Sequence, residues 1–226
     1  MTQPPVLLFA AGFGTRMGAL TADRPKPMIE VAGRPLIDHA LDLARAVSPP
    51  RIVANLHYKP RALADHLAAR NVITSFEWPE ILETGGGLRQ ALPLLGADPV
   101  ITLNPDVIWQ GPNPLQLLLQ AWDPERMDAL LVCLDPGDAV GRLGGGDFDL
   151  DGDGRIARGG QVIYGGAQII KTGGLGDIAE KSFSLNVLWD RMIAGDRLFG
   201  LRYPGRWCDV GRPEGIALAE GLIADV

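Results

Sequence analysis

Three short motifs carry residue types that suit phosphate chemistry. The first is Gly12-Phe13-Gly14-Thr15-Arg16, which follows an apolar run over residues 6–10, with Lys26 between two prolines further along the chain. Small residues let a backbone approach a phosphate group, and Arg16 and Lys26 supply positive charge. Because the loop lacks both the Lys-Ser/Thr of a Walker loop and the third glycine of a dinucleotide fingerprint, a plain connection is the competing interpretation.

The second motif, Glu83-Thr84-Gly85-Gly86-Gly87, places three successive glycines ahead of a predicted helix. Glycines expose backbone donors and leave room for a flat base or a sugar ring against the chain. A flexible surface loop is the alternative interpretation of this motif.

The third motif, Asn104-Pro105-Asp106, follows a predicted strand over residues 100–103. A carboxylate at the carboxyl end of a strand, beside a phosphate loop, is well placed to hold Mg²⁺ against phosphate oxygens. A helix N-cap is the alternative role for Asp106.

The elements that must position these motifs alternate between strand and helix. Short apolar runs predict buried strands over residues 6–10, 51–56, 72–76, 100–103 and 129–134. Apolar residues at helical spacing predict helices over residues 35–47, 61–69, 88–95 and 115–122. This alternation predicts right-handed crossovers and a mostly parallel sheet with helices on both faces.

The chain after residue 135 differs in composition, since 14 of the 29 glycines of the whole protein fall within residues 137–176. Short strands are predicted over residues 161–164 and 167–171, and helices over residues 178–181, 186–194 and 213–223. We expect this part to extend the sheet and to contain long, pliable loops.

Composition excludes several classes of partner. With 27 acidic and 21 basic residues, the chain lacks the basic excess of a nucleic-acid-binding protein. No apolar run reaches the roughly 18 residues that span a bilayer and no secretory leader is recognisable, so we expect a cytoplasmic protein without a membrane partner. Cys133 and Cys208 are far apart without neighbouring ligands, which predicts buried thiols rather than a disulfide or a zinc site.

Taken together, the motifs resemble the sugar-phosphate nucleotidyltransferases in order and spacing. The resemblance rests on residues 8–17, 24–28 and 33–37, on the Glu83 and Asp106 motifs, and on Trp207-Cys208-Asp209-Val210-Gly211-Arg212-Pro213-Glu214. Within that family, the short length and the Glu-Thr-Gly-Gly-Gly form resemble the N-acetylmuramate 1-phosphate uridylyltransferases of cell-wall recycling.

The resemblance implies a fold and a reaction. The fold is a Rossmann-like three-layer α/β/α arrangement with a mostly parallel mixed central sheet, in a single domain over residues 1–226. Residues 1–135 form the nucleotide-binding half and residues 136–226 the sugar-acceptor half. The reaction is Mg²⁺-dependent transfer of a nucleotidyl group from an NTP, with UTP favoured, to a sugar 1-phosphate, by a monomer or a homodimer.

The resemblance also implies roles for individual residues at the reacting end. Arg16 neutralises the departing phosphates, Lys26 binds the α-phosphate or the attacking phosphate, and Asp106 and Asp209 are the Mg²⁺ ligands. The backbone that holds the triphosphate belongs to Gly12, Gly14 and Thr15.

The base and the sugar are assigned to further residues by the same resemblance. Glu83 orients its loop or contacts the nucleotide. The residues expected to lie against the base are Ala10, Ala11, Gly85 and Gly86. The segments that face the sugar in the family contain Asn55, Tyr164, Gly165, Gly166 and Glu180, for which core or surface positions are equally open.

Two departures from the family pattern keep other functions open. Pro105 stands where a glycine is usual and removes an N–H donor, and Arg212 stands where a threonine is common. One alternative is therefore a guanylyl- or thymidylyltransferase acting on heptose, mannose or glucose 1-phosphate. Another is a non-catalytic regulatory subunit that binds a nucleotide sugar.

A calcium-binding module is a third alternative, because Asp149-Leu150-Asp151-Gly152-Asp153-Gly154 imitates the start of an EF-hand loop. The twelfth loop position is Gly160, where a bidentate Glu is needed, and no helical pattern precedes Asp149. The segment is therefore predicted to be a turn between short strands.

Overall fold

A computed structural model describes residues 3–225. Its strands are β1 (Val6–Phe9), β2 (Glu30–Val31), β3 (Arg34–Pro35), β4 (Ile52–Leu56), β5 (Ile73–Phe76), β6 (Val100–Leu103), β7 (Val107–Gln110), β8 (Ala129–Leu134), β9 (Ala139–Val140), β10 (Phe148–Leu150), β11 (Ile156–Arg158), β12 (Ile163–Ile170), β13 (Leu198–Arg202) and β14 (Arg206–Asp209). The α-helices are α1 (Leu36–Arg45), α2 (Pro60–Ala68), α3 (Glu83–Leu95), α4 (Pro114–Ala121), α5 (Asn186–Ala194) and α6 (Glu214–Ala224).

A seven-stranded sheet in the order β13-β8-β12-β6-β1-β4-β5 forms the centre of the molecule. Strands β6, β1, β4 and β5 pair in parallel, as do β8 and β13, whereas β12 is antiparallel to both of its neighbours. The predicted mostly parallel mixed sheet is therefore confirmed. The carboxyl ends of β1, β4 and β6 and the amino end of β12 consequently meet at one edge.

Helices cover both faces of the sheet because its strands are apolar on both sides. Val6 and Leu8 of β1 pack in the core that includes the apolar stripes of α1, α2 and α4, whereas Leu7 packs in the core of α3 and α5. The α/β/α layering predicted from the sequence is confirmed by these two cores.

A smaller sheet, in the order β7-β14-β9, stands beside the edge where the strand ends meet. Strand β14 pairs antiparallel with β7, and the register sets Asp209 opposite Val107. Helix α6 packs in a third core below this sheet, with Ile108, Cys208 and Ala219. The small sheet thereby brings the end of β14 beside Asp106, which immediately precedes β7.

Three local predictions are wrong. The segments 161–164 and 167–171, predicted as two short strands, both overlap the single strand β12, which shifts register between Tyr164 and Gln168 and lies in the middle of the sheet. Residues 178–181 are not helical. The three glycines predicted to precede a helix over residues 88–95 lie inside the first turns of α3.

Two other local predictions are confirmed. Strands β10 and β11 form an antiparallel pair, and the acidic segment that imitates a calcium loop is the turn between them. Cys133 and Cys208 are buried free thiols. Within residues 3–225, no helix combines the length and apolar character needed to cross a membrane.

Candidate active site

Three clefts adjoin at the edge where the strand ends meet, and Asp106 lines all of them. The loop cleft, of about 320 Å³, is bordered by the turn after β1. The Asn55 cleft, of about 210 Å³, lies against β4 and the start of α3. The Trp189 cleft, of about 350 Å³, lies between β12, α5 and the small sheet. Thirteen predicted site residues line at least one cleft: Ala10, Ala11, Gly12, Gly14, Thr15, Arg16, Lys26, Asn55, Glu83, Asp106, Tyr164, Gly165 and Asp209.

The loop cleft owes its shape to a tight turn at Gly14. This residue has a φ of 64°, and a Cβ atom there would lie 2.9 Å from the Lys26 Cβ. Glycine adopts such a left-handed conformation without the steric cost that other residues carry. A Cβ on Gly12, in contrast, would meet nothing within 4 Å. Gly14 therefore serves the fold, whereas the space above Gly12 is free for a ligand.

A buried cation faces the first carboxylate of the site. The Lys26 side chain, in a residue only 7% exposed, donates from Nζ to Asp106 Oδ2 at 2.6 Å. Arg16 is exposed and lines both the loop cleft and the Trp189 cleft. Both predicted cations thus border the same space as Asp106.

Asp106 and Asp209 come together although 102 residues separate them along the chain. The Val210 N–H donates to the Asp106 carbonyl at 3.1 Å, which fixes the end of β14 against the segment after β6. Burial, followed by the charge of Asp106, raises the pKa of Asp209, while Lys26, Arg16 and Arg142 act in the opposite direction. Two carboxylates that repel each other in a partly buried cleft favour a bound cation.

This donor set fits Mg²⁺. Mg²⁺ binds oxygen ligands, and protein sites commonly supply one or two carboxylates while phosphate groups and water complete the shell. Within residues 3–225 no cluster of three or more Asp, Glu, His or Cys side chains forms a self-sufficient metal cage. The Asp106–Asp209 pair therefore suits a metal ion that shares its coordination with a phosphate-bearing ligand.

The Asn55 cleft is supported by a buried hydrogen-bond chain. The Ala10 N–H donates to Asn55 Oδ1 at 2.8 Å, and Asn55 Nδ2 donates to Glu77 Oε1 at 2.7 Å. The other Glu77 oxygen accepts from the Leu82 N–H at 2.7 Å. Burial raises the pKa of Glu77, which is 2% exposed. Asn55 thus lies on the side of the turn after β1, and it does not line the Trp189 cleft.

Two residues at the start of α3 border the clefts. Glu83 is exposed, lines the Asn55 cleft and has a φ of 57°, a strained conformation for a residue with a side chain. Thr84 lines both the Asn55 cleft and the Trp189 cleft, and its Oγ1 accepts from the Leu185 N–H at 2.9 Å. The beginning of α3 is therefore held where the two clefts meet.

The glycines that follow are occupied by the protein itself. The N–H groups of Gly85 and Gly86 both donate to the Phe183 carbonyl. A Cβ on Gly85 would collide with the Phe183 ring, and one on Gly86 would lie 2.5 Å from the Lys181 carbonyl oxygen. Their lack of side chains is explained by the close approach of residues 181–183, and neither glycine lines the three clefts.

The Trp189 cleft combines aromatic and charged walls. The Tyr164 ring packs edge-on against the Trp189 ring, with 5.1 Å between the ring centres, and the Trp189 indole N–H donates to Gln168 Oε1 at 2.9 Å. Arg142 and Arg158 also line this cleft. Gly166 and Glu180, two residues predicted to face a sugar, lie elsewhere. A Cβ on Gly166 would lie 2.8 Å from the Asn104 side chain, and Glu180 is an exposed residue of the segment after residue 177.

The sequence motifs do not predict three further residues that line or support the clefts, namely Glu77, Thr84 and Arg142. Thr84 lies inside the Glu83-Thr84-Gly85-Gly86-Gly87 motif, so its position in the motif is a usable signal. Glu77 and Arg142 carry no such signal, because Glu77 stands between two aromatic residues and Arg142 stands in a glycine-rich segment. Only the packing of β4 against β5, and of β9 against β14, brings them to the site.

The fold and the phosphate-suited edge define a nucleotidyltransferase-type α/β protein, and comparison with known proteins agrees. The profile of the MobA-like NTP transferase domain matches residues 6–144, so the chain belongs to that family. The resemblance to sugar-phosphate nucleotidyltransferases expected from the motifs is confirmed, and the chain is an enzyme of this kind.

Two relatives and one solved structure illustrate the similarity. The chain is 39% identical to the N-acetylmuramate alpha-1-phosphate uridylyltransferase of Caulobacter vibrioides, over all of both chains. It is 31% identical to the enzyme of the same name from Neisseria meningitidis, covering 91% of this chain and 92% of that one. A crystal structure of UDP-glucose pyrophosphorylase complexed with UDP-glucose shares the fold, with a TM-score of 0.82 at 16% identity, over 100% of this chain and 99% of that one.

Proposed function

We propose that this protein transfers a nucleotidyl group from an NTP to a sugar 1-phosphate in a Mg²⁺-dependent reaction that releases pyrophosphate. The observation that carries the proposal is the meeting of three clefts at Asp106, with Asp209 beside it. A reaction that joins two phosphate-bearing substrates needs two binding spaces that open onto one charged centre, and this edge of the sheet offers them.

The loop cleft suits the triphosphate. Gly12 and Thr15 present exposed backbone to the cleft, while Lys26 and Arg16 supply the positive charge that a triphosphate requires. The Asn55 cleft suits the nucleoside, because Ala11, Gly12 and Glu83 border it and the Asn55–Glu77 pair fixes the Ala10 backbone. The Trp189 cleft suits the sugar, because aromatic side chains form part of its wall.

The chemical step follows from this arrangement. An oxygen of the sugar 1-phosphate attacks the α-phosphorus of the NTP, and the bond from that phosphorus to the oxygen bridging the α- and β-phosphates breaks. Pyrophosphate leaves with the electron pair of that bond. Such a transfer depends on positioning and charge neutralisation more than on covalent participation by the protein. Lys26 and Arg16 neutralise charge on the side of the nucleotide.

Asp106 and Asp209 are the residues that would hold Mg²⁺. When bound, the ion neutralises negative charge on the phosphate oxygens. The Val210–Asp106 backbone hydrogen bond and the pairing of β14 with β7 hold the two carboxylates close to each other.

We further propose UTP and N-acetylmuramate 1-phosphate as the substrate pair, which the 39% identical full-length relative supports. The proposal treats residues 1–226 as one catalytic domain, acting in the cytoplasm as a monomer or a homodimer, in cell-wall recycling. Support for one domain comes from the central sheet, which takes strands from both predicted halves.

The test is a matrix of the four NTPs against a panel of sugar 1-phosphates, with pyrophosphate release measured in MgCl₂ and in EDTA. We expect release with UTP and N-acetylmuramate 1-phosphate in MgCl₂ and none in EDTA. Release with GTP or dTTP and another sugar 1-phosphate would replace the substrate pair but keep the reaction. Nucleotide-sugar binding by calorimetry without release for any pair would favour the regulatory alternative, for which Pro105, at the loop cleft, and Arg212 are the motivating residues.

A further inference from the structure

The Trp189 cleft contains charged residues that the proposed function leaves unassigned. Its charged lining residues are Arg16, Arg142, Arg158, Asp106, Asp147 and Asp209. Arg16, Asp106 and Asp209 already have proposed roles. The phosphate of a sugar 1-phosphate carries about two negative charges, and in this cleft it would lie close to two carboxylates. Binding it therefore requires a positioned cation on the acceptor side, in addition to the residues that hold the nucleotide.

Arg142 has the geometry of such a cation. It follows β9, which pairs with β14, so it lies near the end of the strand that carries Asp209. Asp147 Oδ1 accepts from Arg142 Nη2 at 3.0 Å, and Asp147 Oδ2 accepts from the Tyr164 N–H at 2.9 Å. One side of the guanidinium is thus tied to β12 through Asp147. Among the described residues, Nε of Arg142 is buried without a hydrogen-bond partner, so the guanidinium keeps donor capacity that the protein does not use.

Arg158, the other unassigned arginine, is already engaged by the protein. Its Nε and Nη2 lie 2.8 and 2.7 Å from Asp190 Oδ1, and Nη2 also donates to the Asn186 carbonyl at 3.4 Å. Its guanidinium carbon lies 5.0 Å from the centre of the Phe148 ring. These contacts satisfy much of its donor capacity, so Arg142 is the better candidate for an anionic ligand.

The position of Arg142 also separates the two phosphate-bearing substrates. Arg142 lines the Trp189 cleft but does not line the loop cleft, where the triphosphate is proposed to bind. An arginine fork binds phosphate oxygens through two N–H groups and keeps its charge throughout the reaction. We propose, on the basis of the proposed function, that Arg142 binds the phosphate of the acceptor sugar 1-phosphate and that Asp147 is the residue that positions it.

The test compares Michaelis constants in four variants: Arg142→Gln, Arg142→Lys, Asp147→Asn and the control Arg155→Gln. Arg155 is also paired with acidic side chains, but it lies in the β10–β11 turn. For Arg142→Gln we expect KM for the sugar 1-phosphate to rise about 10-fold or more, as for loss of one charge-assisted contact, with KM for the NTP within about twofold. Arg142→Lys and Asp147→Asn change in the same direction by less, and Arg155→Gln matches wild type.

A second measurement separates phosphate binding from a purely structural role. Affinities for N-acetylmuramate 1-phosphate and for unphosphorylated N-acetylmuramate are measured by calorimetry on wild type and on Arg142→Gln. We expect Arg142→Gln to lose affinity for the phosphorylated sugar alone. An equal loss for both sugars, or an unchanged KM for the sugar 1-phosphate, overturns the inference. If the Gln variant does not fold, as judged by its melting curve, Arg142→Lys carries the same comparison.

Failure of the inference is distinguishable from failure of the proposed function. A wild-type protein that releases pyrophosphate while Arg142→Gln keeps its KM overturns the role of Arg142 and leaves the reaction in place. A wild-type protein that binds no sugar 1-phosphate and releases no pyrophosphate overturns both.

Discussion

The nucleotide side and the acceptor side of the site are built in different ways. The loop cleft is formed largely by one contiguous stretch of chain, residues 9–16, with Lys26 and Asp106 opposite. The Trp189 cleft draws its walls from β12, α5, the segments around β9 and β10, and the end of β14. The first is a site made mainly of backbone, and the second is a site made mainly of side chains from distant segments.

This difference determines what each side tolerates. A backbone site depends on a turn that a single added methyl group can block, so it requires glycine at fixed spacing. A side-chain site depends on which segments meet, and individual residues in it can be exchanged while the walls remain. We therefore expect variation in substrate to arise on the acceptor side of this enzyme family.

The largest expected effect comes from the two carboxylates that join the sides. Asp106→Asn and Asp209→Asn each keep the side-chain volume and remove one negative charge, so kcat should fall by about 10²-fold or more. Steady-state pyrophosphate release measures this. Asp151→Asn is the control, because Asp151 accepts hydrogen bonds from Asp153 and Arg155 within the β10–β11 turn. Equal rates of pyrophosphate release by wild type and Asp209→Asn would contradict the proposal that Asp209 binds Mg²⁺.

The same contrast explains how much the sequence could reveal. The turn after β1 was predictable because its residues are neighbours in the chain, and β6, β8 and α5 were predicted with the bounds that the structure has. Pairing Asp106 with Asp209 rested on a family resemblance, because only the β7–β14 register brings them together. Arg142 had neither kind of support.

Two wrong predictions share a physical cause. The glycines of α3 and of β12 were interpreted as breaks in regular structure, although both sets lie within it. At Gly86 a neighbouring carbonyl occupies the place of a side chain, and at Gly166 the Asn104 side chain does so. Glycine at such positions reports a close approach by a distant segment, which sequence alone does not distinguish from a turn.

Gly12 and Gly14, both in the loop cleft, are expected to differ: Gly12 matters for binding of the NTP and Gly14 for stability of the fold. For Gly12→Ala we expect an unchanged melting temperature and a KM for the NTP that rises about 10-fold, because the added methyl group meets no protein atom and enters the loop cleft. For Gly14→Ala we expect a loss of about 1–3 kcal/mol of stability from its positive φ. Melting curves and Michaelis constants measure the two effects.

Gly137→Ala is the matched control for this pair, since a Cβ there also meets nothing within 4 Å and the residue lies outside the three clefts. It should change neither quantity. If Gly12→Ala behaves like Gly137→Ala, the loop cleft does not hold the triphosphate.

Substitution of the buried Asn55 tests whether this residue belongs to the nucleotide side or to the acceptor side. Asn55→Ala removes the acceptor of the Ala10 N–H and one donor to Glu77, so we expect a loss of about 1–3 kcal/mol of stability and a several-fold rise in KM for the NTP. KM for the sugar 1-phosphate should stay near the wild-type value. Asn113→Ala is the control, because Asn113 also makes two structural hydrogen bonds, at the start of α4. If only the KM for the sugar 1-phosphate rises, Asn55 contributes to binding of the acceptor rather than of the NTP.

The smallest expected effect concerns the rigidity of the two regions. Cys208 of β14, in the small sheet, is as completely buried as Cys133 of β8, in the central sheet. Burial raises the pKa of Cys133 to about 12 and, with the charge of Asp209, that of Cys208 to about 11. Since the thiolate is the reactive form, at most ~10⁻³ of either thiol is ionised at pH 8, and neither should react with a disulfide reagent in the native protein.

Labelling is followed by mass spectrometry of the native and the urea-unfolded protein, the latter serving as the control in which both thiols react. Protection of both cysteines in the native state means that neither the small sheet nor the central sheet opens during the labelling. Selective labelling of Cys208 would show that β14 opens while the central sheet stays closed. The acceptor side would then differ from the nucleotide side in local stability as well as in construction.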